Sequence, residues 1–468
     1  MLNSANDPSN SGALLHELRL RDAVAIVAGT IIGSGIFLVP GNIANQLSSF
    51  VVVILVWLIG GLLSLFGALA LGELGASFPK AGGLYVYLRQ AYGRTTGFLY
   101  GWALLALIHS GSIATLAVAF RIYLAQIFSL TMTQQKLAGV ILVLALTFVH
   151  CFGVKSGKNV HNALTIAKYA GLALMLGLLF HGAHFHLLRT SLSPTNGFHF
   201  RASSFGIALI AVLWAYEGWH VLSFMTGEFK NSQRDLPRGL LYGTLIVAVT
   251  YLIANVAYYS VLTNTQIQHT ERVAATAVSA VTGGAAAAFI SLLVLVSIIG
   301  AINGMVLTGP RVYYAMAEEG LFFGVFAKVN ARFRAPVFAI LVQGLWSAGL
   351  TLLGSFQELF TYVVFVGWVF YGLAVAGVIV LRKRRPELER PFRVPGYPWL
   401  PALFALAALG IIVSAVVSAP MHAVFGSVLV LSGLPLYFFF VLRAKSGHTN
   451  TAPGAAVEQN GVFKRSTL

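Results

Sequence analysis

The sequence predicts an all-α polytopic membrane protein of twelve transmembrane helices, arranged as a 5+5 inverted repeat plus two C-terminal helices. Three observations carry this expectation. The 468 residues are 57% hydrophobic and only 9% charged, whereas soluble domains carry about 25% charged residues. Apolar runs of about twenty residues, the length that crosses a bilayer core, recur along the whole chain. Two of these runs, five spans apart, are interrupted at their centres by glycine and polar groups, which is the hydropathy pattern of an inverted repeat.

Taken in order, the spans are expected at 23–46, 51–76, 93–127, 136–152, 160–181, 204–229, 239–263, 286–317, 335–354, 357–381, 398–419 and 421–442. The domain organisation that follows is an N-tail over 1–22, a first repeat over 23–181, a second over 204–381, a terminal helix pair over 398–442 and a polar, disordered tail over 446–468. The N-tail has no apolar core and reads as a tail, not a signal peptide. An even number of spans puts both termini on one side. That side carries 24 of the 30 basic residues, from Arg19 through the Arg382–Arg385 cluster to Arg465. The opposite side has Arg121, Lys136, Arg189, Arg201 and Arg272, and Lys168 lies within a span. Basic loops stay in the cytoplasm, so a multi-pass cell-membrane protein with cytoplasmic termini is expected. The net charge of +16 then reads as a topology signal beside anionic lipid, and no nucleic-acid partner is needed.

Span one carries Gly29-Thr30-Ile31-Ile32-Gly33-Ser34-Gly35-Ile36-Phe37, followed by Pro40-Gly41. Glycine weakens a helix by about 1 kcal/mol relative to alanine. Three polar or glycine residues together predict a break that exposes bare N–H and C=O groups. In lipid such a break persists only inside protein or along a watery cavity. The Gly29-x-x-x-Gly33 spacing also fits simple helix packing. Span six repeats the interruption at Trp214-Ala215-Tyr216-Glu217-Gly218-Trp219-His220. N–H groups at a half-helix start suit a carboxylate, and open carbonyls suit an ammonium group. An α-amino acid presents both on one carbon.

Glu217 is the one acidic residue near a span's centre. A charge at that depth faces a cavity or a partner, so amino-group recognition, proton coupling, gating and structural pairing all fit. Lys168 lies about 15 Å along its helix from the nearest basic boundary, too far to snorkel with ease. It reads as an ammonium bridging spans one and eight. Packing is the default for the aromatic residues, Tyr216 among them, but Trp214 beside the break fits a lid over a bound side chain, and His220 fits a titrating or hydrogen-bonding role. His109, Ser110 and Asn303 are midspan polar groups that also fit interhelical bonding. His184, His186 and His199 in the longest outer segment match no metal-ligand spacing, so no metal is expected. Gly153-Val154-Lys155-Ser156-Gly157-Lys158-Asn159 has one spacer too few for a phosphate loop. His16-Glu17 lacks a histidine at Leu20, and no nucleophile elbow occurs. The expectation is a non-enzyme without cofactor, driven by solute or ion gradients.

The stretch Gly29–Phe37 resembles the first-helix signature of the amino acid–polyamine–organocation superfamily, in its L-type amino-acid transporter branch. Further similar stretches run along nearly the whole chain. They are Glu73-Leu74-Gly75 with 79–87, Trp214–Trp219, Asn231 through Leu236-Pro237, Asn303-Gly304 through Arg311 and Gly320, and Arg385–Val394. The resemblance implies the leucine-transporter fold and sodium-independent exchange of neutral L-amino acids by alternating access. It places the substrate on Thr30, Ile31, Gly33, Ser34, Gly35, Trp214, Ala215, Tyr216 and Glu217. The carboxylate falls on the backbone near Ser34 and Gly35, and the amino group on carbonyls of Ile31, Trp214, Ala215 and Glu217. Trp214 takes the aromatic gate position, and Lys168 the place of a sodium ion; with His220 they form the coupling and gating set. Two departures stand out. Animal L-type members carry glycine where Glu217 stands, which keeps cationic amino acids or amines in view. Animal members also join a heavy chain through a cysteine between spans three and four, where this chain has Thr131-Met132-Thr133. No disulfide-linked partner and a prokaryotic-type permease are therefore expected. Proton symport through Glu217 or His220 is the alternative mechanism, and a transporter-like amino-acid sensor the alternative of another class. The short C-tail argues against the sensor.

Overall fold

A computed structural model describes residues 16–184, 187 and 201–449. Among the described residues the regular structure is helical, apart from one isolated bridge between Leu18 and Phe229. Among the described residues nine helices are long and apolar enough to cross a membrane, and a tenth span forms if the bent pair Leu20–Ile31 and Gly35–Gln46 counts as one.

In chain order the helices are α1 (Leu20–Ile31), α2 (Gly35–Gln46), α3 (Phe50–Ser77), α4 (Leu84–Tyr92), α5 (Arg94–Ala103), α6 (His109–Ile127), α7 (Met132–His150), α8 (Val154–His181), α9 (Ala202–Ala215) and α10 (Ser232–Val261). They continue as α11 (Asn264–Gln268), α12 (Val273–Thr282), α13 (Gly284–Thr308), α14 (Pro310–Glu318), α15 (Val337–Leu353), α16 (Phe356–Arg384), α17 (Trp399–Ser418), α18 (Pro420–Leu431) and α19 (Gly433–Thr449). A π-turn, Leu104–Ile108, joins α5 to α6 within one span.

The expected span boundaries hold to within a few residues for most helices. α1 begins at Leu20, three residues before the expected span start at 23, and Arg19 N–H donates to the Asp22 carboxylate at 3.1 Å at its start. α19 runs to Thr449 and overlaps the expected tail start at 446. Residues 450–468, and His186 and His199 of the outer segment, lie outside the described residues. The apolar helices α9, α12 and α15 are shorter, at 10–17 residues. Helices α4, α11 and α12 occupy stretches read from sequence as loops.

The two interrupted spans sit at the centre. α1 and α2 meet at 43° across Ile32–Ser34. α9 stops at Ala215, five turn residues follow, and Val221–Glu228 continues as 3-10 helix. α1 packs on α8, α10 and α13, while α2 packs on α9. The α5–α6 span is 94% buried over its apolar window, against 17% for the span of α18 and α19. The first helps enclose the broken spans; the second lies at the periphery with its apolar side chains turned outward, as lipid requires.

The end where α3 meets α4 carries most of the basic loops and is tied shut by ion pairs. Glu73 accepts two bonds from Arg382 at 2.8 and 2.6 Å and one from the Val394 N–H at 2.7 Å. Arg311 donates to Glu228 at 2.7 Å. Glu319 holds both Arg89 and the Tyr85 hydroxyl at 2.5 Å. The opposite end opens into a vestibule lined by Asn42, Asn45, Gln268, Glu271 and Gln357.

Candidate functional site

The break in the first span is a backbone feature. Gly33 N–H turns back to Ile31 O at 2.8 Å, which ends α1, and α2 restarts at Gly35. The N–H groups that open a helix have no carbonyl of their own to reach, and they form its positive end. The two breaks touch: a Cβ on Gly35 would stand 2.5 Å from Ala215 Cα. Only glycine allows that approach. In the second span Gly218 has φ +112°, a conformation that L side chains avoid, and it packs on Thr30 and Ile31.

Polar side chains hold the freed carbonyls of α1. Lys168 of α8 is 1% exposed. Its ammonium donates to Gly29 O and Ile32 O, both at 2.6 Å, and to Ser297 O at 3.0 Å. Ser297 of α13 donates to Ile32 O at 3.0 Å. The Tyr251 hydroxyl of α10 lies 3.1 Å from Ile31 O and 3.0 Å from Ala215 O, so one side chain bridges both breaks. Sequence reasoning missed Tyr251 and Ser297. Nothing in the sequence separates Tyr251 from the other 16 tyrosines; its bridging position exists only in the fold.

Between the breaks is a narrow, nearly closed cleft with only about 10 Å³ open to the centre of a water-sized sphere, about the room that one water molecule needs. Thr30, Ile31, Gly33, Ser34, Gly35, Trp214 and Glu217 line it, with Leu116 and Met305. The Thr30 and Ser34 hydroxyls and Glu217 Oε2 are buried with no hydrogen-bond partner among the described residues. Buried polar groups are normally paired, so three such groups on one cavity leave room for a polar occupant.

Two sequence candidates do not line the cavity. Tyr216 turns away to α3, where its hydroxyl meets Trp57 O at 3.3 Å and its ring packs on Trp57 and Tyr251. Ala215 is spent on the contact with Gly35 and Tyr251. Trp214 stacks on Phe360 at 6.0 Å and 24°, with Phe356 at its edge. Phe356 and Phe360 also line the vestibule region, so these rings separate cavity from vestibule. His220 lies behind the cavity, 3.3 Å from the Tyr371 hydroxyl, which sits 2.7 Å from Glu217 Oε1. Tyr371 was not singled out by sequence either.

Gly29 serves packing, because a Cβ there would meet Thr165 and His161. His109 bonds Met305 O at 2.8 Å, and Asn303 bonds His150 at 2.9 Å; both join helices. No cluster of three or more metal-ligating residues occurs among the described residues.

The cleft thus lies between two broken helices and carries open peptide groups and unpaired polar side chains. The amino acid permease profile matches residues 18–441. The chain belongs to the amino acid permease family. The permease is 34% identical to the "Serine/threonine exchanger SteT" of Bacillus subtilis over 444 residues, 94% of this chain and 100% of the relative. It is 32% identical to the human "b(0,+)-type amino acid transporter 1" over 441 residues, 92% and 88% of the two chains. It is 30% identical to the human "Large neutral amino acids transporter small subunit 2" over 441 residues, 92% and 81%. The family is one of transporters, and an enzymatic reading of the cavity falls away.

Proposed function

We propose that this permease exchanges neutral L-amino acids across the cell membrane by alternating access, without sodium. The observation that carries the reading is the single cavity shared by the breaks at 32–34 and 216–220. The substrate carboxylate binds the open N–H groups at the start of α2 beside Ser34 and Gly35. Its ammonium binds the carbonyl edge of α1 and α9. The Tyr251 hydroxyl lies within bonding distance of Ile31 O and Ala215 O, but its one proton serves one of them at a time, and each carbonyl has a second lone pair. Small neutral side chains are in keeping with a serine/threonine exchanger among the relatives. Lys168 supports sodium independence, because its ammonium fills the carbonyl cage that a metal cation would need.

The architecture behind this reading is twelve spans: the ten by length, with α9 and α15 as the others. Spans one to five and six to ten form the inverted repeats, and the 24 basic residues on one side put both termini in the cytoplasm. The vestibule then faces outward and the ion-paired end faces inward, so the described state is closed to the cytoplasm. The one cysteine, Cys151, supports a permease without a disulfide-linked heavy chain.

A second reading has one observation in its favour. The partnerless Glu217 Oε2 on the cavity wall suits a substrate whose side chain carries a cation. Counterflow in liposomes tests both. Vesicles preloaded with a panel of amino acids should take up labelled serine or alanine only when the lumen holds a substrate. Uptake into empty vesicles that collapses with a protonophore would replace exchange by proton symport.

A further inference from the structure

Exchange alone gives no role to the group behind Glu217. Glu217 Oε1 meets no lysine or arginine; it lies 2.7 Å from the Tyr371 hydroxyl. That hydroxyl is also 3.3 Å from His220 Nε2. His220 Nδ1 is 3.9 Å from Glu217 Oε1 and has no hydrogen-bond partner. All three residues are at most 5% exposed.

A tyrosine hydroxyl has one proton and gives it to one neighbour. The trio therefore has two arrangements with the same number of protons. In the first, the Glu217 carboxyl donates to Tyr371 Oη, Tyr371 donates to His220 Nε2, and the imidazole is neutral with its proton on Nδ1. In the second, Glu217 is a carboxylate that accepts from Tyr371, and the imidazolium Nε2–H donates to Tyr371 Oη. Passing between them breaks one O–H bond at Glu217 and forms one N–H bond at His220. Tyr371 gives up one proton and receives another. The trio keeps zero net charge, and the charged form has an ion pair at 3.9 Å.

We propose that Glu217, Tyr371 and His220 form a proton relay that lets the cavity hold either a neutral or a cationic amino-acid side chain without releasing a proton to water. A cationic side chain at the free Oε2 draws the trio into its charged arrangement. A neutral side chain leaves the carboxyl protonated. His220 and Tyr371 act here as positioning residues through Glu217. The inference rests on the amino-acid reading of the cavity.

The surroundings permit this. On α6, His109 shares Phe224 with His220 but is bonded to Met305 O. Tyr100 of α5 and Tyr313 of α14 are buried hydroxyls on the same side. From α3 and α17 the groups against the trio's aromatic surround are Gly67 and Phe404, which do not titrate. Lys168 is committed to carbonyls of α1 and α13. The movable proton thus has two seats, the carboxyl and the imidazole.

The test is calorimetric titration of the purified full chain with L-lysine and with L-alanine at pH 7, in two buffers of different ionisation enthalpy, which counts protons exchanged on binding. Binding without net proton exchange is independent of pH. The wild type should bind lysine with no proton released. Tyr371→Phe and His220→Gln each cut the relay, so lysine should bind them with about one proton released. Their lysine affinity should then rise about tenfold per pH unit, the linkage of a single proton. Alanine should release none in any of the three. One proton released by the wild type, none released by the variants, or no lysine binding at all, overturns the relay. Lysine binding with no counterflow would instead sink the exchange reading and leave the relay standing.

Discussion

Lys168 shows what one side chain does in a water-poor core. Its ammonium satisfies three carbonyls from two helices, and hydrogen bonds to a charged group contribute about 1.5–3 kcal/mol each. Lys168→Ala leaves those carbonyls bare at the hinge of α1. Counterflow should fall at least tenfold while substrate affinity falls less than about threefold, since the lysine touches no cavity wall. Equal losses in both would make Lys168 a binding residue. Tyr251→Phe removes the single hydroxyl proton that Ile31 O and Ala215 O share, and leaves one buried carbonyl short of a donor. An unsatisfied buried group costs about 1–3 kcal/mol. The thermal midpoint in detergent should drop by several degrees, and an unchanged midpoint would mean the bridge is ornamental.

At the scale of elements, the breaks are defined by how closely they approach. Gly35 faces the Ala215 backbone, which has no flexible end to yield. Gly35→Ala should separate α2 from α9 and abolish counterflow. Gly177→Ala on α8 is the matched control, because a Cβ there meets nothing within 4 Å; it should be neutral or stabilise by up to about 1 kcal/mol, the helix-propensity difference. If both variants exchange normally, the contact between the breaks is not needed. The second half of span six is a 3-10 helix kinked at Met225, and such segments often mark hinges.

The whole molecule is asymmetric: a polar vestibule at one end and buried ion pairs at the other. Arg311 and Glu228 are 1% and 0% exposed. Removing one partner of such a pair costs about 3–5 kcal/mol, because the other charge is stranded. Arg311→Gln should therefore weaken the closed end. In a Cys151→Ser background, a cysteine at exposed Asn42 should react quickly with a maleimide and one at buried Ser223 slowly. Adding Arg311→Gln should speed Ser223→Cys labelling at least tenfold. Labelling that stays slow would show that other contacts close that end.

The recurrence of membrane-length apolar helices and the two interruptions were legible because they follow from local chemistry. Apolar length sets spans, and glycine beside serine or glutamate breaks a helix. Lys168 and Glu217 were legible for the same reason, since any charge at that depth needs a partner. The direction of Tyr216 was not legible, because side-chain direction at a turn depends on the backbone dihedrals of the break. Tyr216 packs on Trp57, outside the cavity. The helices α4 and α12 were missed because each is only about ten residues long, too short for an apolar period to stand out.

By itself the sequence determined that this chain is a bundle of membrane helices with two of them broken, because burial of apolar length and the cost of glycine act residue by residue. Only the tertiary structure decided which groups meet across those breaks. Tyr251 on two carbonyls, Lys168 on three, and Glu217 against Tyr371 and His220 join positions up to 220 residues apart. Such contacts depend on how helices cross, which no local pattern encodes.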